Sequence, residues 1–169
     1  MIQTPTASIS SDHSSADAEL SQAPAWSRQA LTRHLRTRLA AHCHDDSGVA
    51  AHGVAIYTLS DPRDLRAVRY VGQSAVPRRR LGQHLSAARL WLPDRQPWWV
   101  KSPRQRPLYE WIRELFQDEG RLPMMVVRAW VDASQARGAE RAHIYEFLQQ
   151  QLPLLNFESE LLRRQLLLI

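Results

Sequence analysis

The sequence predicts an α+β fold, a small sheet of three strands covered by helices. Two β-rich runs, Val54–Leu59 and Val68–Gln73, flank a charged, proline-containing loop of hairpin type. A third run of the same character, Met124–Val131, stands far downstream. The segments around these runs carry apolar residues at helical spacing, giving the order ββ-α-α-β-α.

Each element has its own signal. Residues 1–25 are rich in Ser, Thr, Ala, Gln and Asp and have few bulky apolar groups. They bury too little surface to offset ordering entropy, so a disordered tail is expected. From Trp26 to about His42 the stripe Ala30, Leu31, Leu35 and Leu39 predicts an N-terminal helix, in an extension (26–48) that Gly48 closes. The loop Ser60–Ala67 joins the first two strands. A helix follows near Pro77–Leu90, with Pro in its first turn and Leu81, Leu85 and Ala88 on its inner stripe. Trp91–Pro107 reads as irregular, Leu108–Asp118 as a helix stopped by Gly120, and Gly138–Leu152 as a helix ended by Pro153. Ile144, Phe147 and Leu148 give that last helix its buried side. The tail 158–169 ends in LLRRQLLLI, too apolar to hang free; it is expected to dock on the core or on a second copy of the chain as a homo-oligomer.

The 169 residues suit one domain of 49–157 plus extensions. No apolar run approaches the ~20 residues that cross a bilayer, and no secretion signal is visible, so no membrane partner is expected. Cys43 is the lone cysteine, which excludes an internal disulfide framework and suits a reducing cytoplasm. Net charge is +5, distributed unevenly. Residues 55–107 hold eleven basic side chains against Asp61, Asp64 and Asp94, whereas 108–157 hold five against seven acids. A basic block beside an acidic one fits a polyanion-facing surface. The plainer reading is a generally Arg-rich composition, since Lys101 is the one lysine.

Five side chains carry the chemistry. With a loop centred near Arg63–Asp64, Tyr57 and Tyr70 sit opposite each other on one sheet face. Arg80 and His84, at i and i+4, share a helix face beside the apolar stripe. Glu140 opens the last helix, where an acid can complement the helix dipole or hold Mg²⁺. Taken singly, paired tyrosines are ordinary packing and an Arg/His pair is an ordinary solvated face.

Order and spacing change that weighing. Ala55–Tyr57 (AIY) and Tyr70–Ser74 (YVGQS) resemble the two signature tripeptides of the GIY-YIG nuclease family. Arg80 stands ten residues past the second Tyr and His84 four further on. Glu140, Ile144 and Asn156, after the PLL turn, occupy the family's later positions. The resemblance spans Val54–Asn156; Ala55 replaces the family's first glycine. It implies a three-stranded antiparallel sheet flanked by helices, with the N-terminal helix as an addition. It implies a metal-dependent endonuclease hydrolysing DNA phosphodiester bonds, with Mg²⁺ (or Mn²⁺) as cofactor.

In that reading Glu140 holds the metal and Arg80 offers a planar fork of donors to the transition state. Tyr57 orients or activates the water, His84 takes the proton, Tyr70 bonds the same water or phosphate, and Gly72 and Asn156 organise the site. Arg78 and Arg79, with Trp98, Trp99, Lys101, Arg104 and Arg106 in the irregular stretch, are the candidate DNA contacts. The alternatives are a non-catalytic nucleic-acid-binding module of the same fold, and an interaction protein whose apolar tail recruits a partner. His42, Cys43, His44, Asp45, Asp46 and His52 contain zinc-ligand types without regular spacing, so a helix end is the preferred reading there.

Overall fold

The computed structural model describes residues 41–47, 52–91, 103–159 and 162. Strands β1 (Cys43–Asp45), β2 (Val54–Asp61) and β3 (Asp64–Ser74) precede helix α1 (Pro77–Leu90). A 3₁₀ turn at Pro103–Gln105 runs into α2 (Arg106–Glu119), followed by β4 (Met124–Val131) and α3 (Ala136–Gln149).

The architecture is α+β, but the sheet has four strands in the order β1-β4-β2-β3. Three antiparallel strands describe β4-β2-β3 alone; β1 adds to β4 in parallel, Cys43 to Asp45 pairing with Met125 to Val127. Three residues are too few to show an alternation, and their partner lies far along the chain, so this strand left no local signal. It also replaces the helix end expected around His42, where Ala41 and His42 form a turn. The tail 1–25 and the helix from Trp26 otherwise lie outside the described residues.

Alternation along β2 sorts side chains to two faces. Ala55, Tyr57 and Leu59 join Leu81 and Leu85 of α1 and Leu108 and Ile112 of α2 in one buried cluster. Ile56 points the other way, onto Ile144 and Leu148 of α3. Pro77 sits in the first turn of α1, where its missing N–H costs nothing. Gly120 closes α2 in the left-handed conformation (φ 61°), its N–H donating to the Phe116 carbonyl and the Arg121 N–H to the Leu115 carbonyl. Trp91, expected in an irregular loop, is buried against Tyr109. From the apolar tail, Leu162 packs in the α3 cluster.

The strands run further into the hairpin than their apolar runs, to a turn at Pro62–Arg63. Register breaks then follow near Ser60 on the β3 side and near Ile56 on the β4 side. These bulges move the pairing: Tyr57 lies opposite Gly72, and Tyr70 opposite Leu59. The two tyrosines share a face as expected, but on a diagonal.

Candidate active site

β3 is an edge strand, and the candidate site is built at that edge from elements on both faces of the sheet. On the α1 face the Tyr57 ring crosses over position 72. A Cβ there would stand 2.5 Å from the Tyr57 hydroxyl oxygen and 2.8 Å from Cε1 of Tyr70. Gly72 is therefore the opening that lets the phenol reach α1. Tyr57 Oη lies 2.8 Å from His84 Nε2, in a fully buried pair. The Tyr70 ring centroid is 6.4 Å from that of Tyr57 and 5.5 Å from that of His84.

Arg80, one turn before His84, donates to Gln83 Oε1 at 3.2 Å, and its charge acts on both phenols. Nδ1 of His84 is buried without a partner. In the tautomer that carries its proton there, Nε2 accepts from the Tyr57 O–H.

Burial sets the charge states. It drives Tyr57 and Tyr70 well above the ordinary phenol range, with Arg80 working against it in both cases. It pushes His84 down to about 3, and the Arg80 charge adds to that. At pH 7 a proton on His84 costs about 5 kcal/mol, four pKa units at roughly 1.4 each. In the resting site the imidazole is neutral and holds the Tyr57 hydroxyl in place.

Glu140 comes from α3, on the opposite face. It lies in the second turn, because α3 starts at Ala136 instead of near Gly138; the helix-dipole reading loses force accordingly. Gln73, which alternates with Gly72 onto the α3 face, donates from Nε2 to Glu140 Oε2 at 2.8 Å. Burial raises the Glu140 pKa against that hydrogen bond, and the charge of Glu158 raises it further. Glu140 in turn raises both phenols, and Arg80 lowers Glu140, so the four groups share one electrostatic field. Glu140 and Tyr70 line a pocket of about 240 Å³ with Arg104, Gln105, Phe157 and Glu158.

Asn156 acts on the strand, not on the end of α3. Its Oδ1 accepts from the Val71 N–H (2.9 Å) and its Nδ2 donates to the Val71 carbonyl (2.8 Å), closing both edge groups. Leu155 N–H donates to the Arg69 carbonyl beside them, at 2.6 Å.

The remaining candidates divide. Arg78 and Arg79 are exposed at the head of α1, and Arg106 is exposed but paired with Glu110 at 2.6 Å. Arg104 is at the pocket; Trp98, Trp99 and Lys101 lie outside the described residues. His44 Nε2 lies 2.9 Å from the Ala41 carbonyl, and Asp45 accepts from Ser47 and Trp130. Among the described residues no three His, Cys, Asp or Glu side chains converge as a metal-binding group. A magnesium site needs less: one or two carboxylates, completed by phosphate and water. A desolvated carboxylate held by an amide beside an open pocket fits that requirement.

Sequence reasoning missed Gln73, Gln105, Tyr109, Phe157 and Glu158. Strand alternation was the available signal for Gln73. The i, i+4 spacing was the signal for Tyr109, whose hydroxyl donates to Gln105 Oε1 at 2.9 Å. No family model, curated protein or solved structure matches the chain. No helix among the described residues is long and apolar enough to cross a membrane.

Proposed function

We propose that this protein is a metal-dependent endonuclease that hydrolyses DNA phosphodiester bonds at the β3 edge. The observation that carries the reading is the shared electrostatic field of Tyr57, Tyr70, Arg80 and the Gln73-held Glu140, next to the Tyr57–His84 hydrogen bond, with Tyr70 and Glu140 lining one pocket. The resemblance of AIY, YVGQS, Arg80, His84, Glu140 and Asn156 to the GIY-YIG nucleases supports it independently.

Glu140, with phosphate oxygens and water, would hold Mg²⁺ or Mn²⁺. The ion when bound supplies Lewis-acid stabilisation of the phosphate and of the leaving 3′ oxygen. Arg80 places its fork of donors on the charge that grows in the transition state. Tyr57 accepts a hydrogen of the attacking water while its own proton moves toward His84 Nε2. That transfer opposes the roughly 5 kcal/mol preference of His84 for the neutral form. Phosphate binding reduces the opposition, because it neutralises Arg80 and brings negative charge close to the imidazole. Tyr70 hydrogen-bonds the same water or a phosphate oxygen.

Plasmid nicking with Mg²⁺ or Mn²⁺ tests the proposal. Glu140→Ala and Arg80→Ala should each lower the rate by at least about a hundredfold with the fold intact by circular dichroism. Cutting at the parent rate by both variants would overturn the assignment. Salt-sensitive DNA binding without any cutting by the parent chain would identify a binding module instead.

A further inference from the structure

Phe157 is 48% exposed and opens the helical segment just past Asn156. The Arg104 guanidinium carbon lies 4.0 Å from the centre of its ring. One comes from the 3₁₀ turn before α2 and the other from the chain after α3, and both line the pocket that holds Glu140 and Tyr70. A phenyl ring left half in water forfeits burial worth of order 1 kcal/mol. Arg104 stacks on it, giving a flat cationic and aromatic surface at the rim of a polar pocket.

We infer that Arg104 and Phe157 form a stacking platform for one unpaired nucleobase next to the phosphate held at Glu140. The inference rests on the nuclease reading for its neighbour, the phosphate site, while the stacking surface stands on its own geometry. Every base has a π-face, and aromatic rings and guanidinium planes are the side chains that take it. Gln105 lies beside the pair. Its Oε1 accepts from the Tyr109 hydroxyl, which leaves the amide Nε2 as the group it can offer to a base-edge acceptor. A base inside a duplex is stacked on both faces and has no surface to offer the platform. The ligand is accordingly a strand with an extrahelical or unpaired nucleotide, with the charge of Arg104 matched to the adjoining phosphate.

A binding cycle tests this with the full chain carrying Glu140→Gln, so that nothing is cut. Fluorescence anisotropy is measured for a DNA duplex with a one-nucleotide bulge, and for the same duplex with an abasic residue at the bulge. The two ligands have equal phosphates, so their affinity ratio reports the base alone. Stacking of roughly 1–3 kcal/mol predicts about a tenfold preference for the base-containing bulge. Adding Phe157→Ala should bring the ratio close to one, and Phe157→Trp should preserve it. Equal ratios with and without Phe157→Ala, or no preference for the base at all, overturn the platform. Failure of the nuclease reading looks different: the parent chain would leave all DNA intact while the bulge preference and its loss in Phe157→Ala persist.

Discussion

Tyr57 crosses β3 only because position 72 has no side chain. A methyl group at Gly72 would meet Tyr57 Oη at 2.5 Å and its ring carbon Cζ at 2.6 Å, with Tyr70 closing the remaining side. The backbone lies beneath, so the phenols must part. Gly72→Ala should cost about 1–3 kcal/mol by chemical denaturation and should break the Tyr57–His84 hydrogen bond. A denaturation midpoint unchanged from the parent would show that the ring has another place to go. His84 gives a pH signature. Its folded pKa of about 3 lies below its unfolded value of 6.5, so the unfolded chain takes up the proton first. Its contribution is whole above about pH 6.5 and drains as pH falls toward 3, at no more than roughly 1.4 kcal/mol per pH unit. The difference in stability between parent and His84→Gln should therefore shrink with acidification. A constant difference from pH 7 to pH 4 would mean that the imidazole titrates freely.

Asn156 stands in for a fifth strand over a single residue of β3. Asn156→Ala leaves the Val71 N–H and carbonyl without these partners, an expected cost of about 1–3 kcal/mol. Val71 amide hydrogen exchange should quicken more than that of Val127 in the middle of the sheet. The elements themselves were largely legible. Pro77–Leu90 and Met124–Val131 were read to their ends, because a proline start and a long β-branched run are local signals. Bulges are not local signals, so the Tyr57–Tyr70 pairing came out in the wrong register. The candidate residues came from spacing and resemblance, and the fold brings Tyr57, Tyr70 and His84 into contact. Their supports were not readable: Gln73 on Glu140 and Asn156 on Val71 are long-range side-chain contacts that leave no trace in periodicity.

Across the molecule, Arg78 and Arg79 stand exposed at the head of α1. If Arg78 and Arg79 meet phosphates, replacing both with Ala should flatten the log–log salt dependence of DNA affinity by about one to two. An unaltered slope would remove them from the interface. Millimolar Mg²⁺ should raise the melting temperature of the parent and leave that of Glu140→Gln unmoved, because that substitution removes the carboxylate charge. An equal shift in both would place the ion elsewhere.

The short parallel strand β1 has a consequence of its own. It hangs on the sheet rim through contacts such as Met125 N–H to the His42 carbonyl and Asp46 N–H to the Val127 carbonyl. Its pairing closes a loop that spans most of the domain, whereas the β2–β3 hairpin zips locally. Such a strip assembles last and peels first, as a sub-globally opening unit with a protection energy below that of the remaining strands. Tension applied at Cys43, or a ligand bound there, would thus register in this seam before disturbing Tyr57.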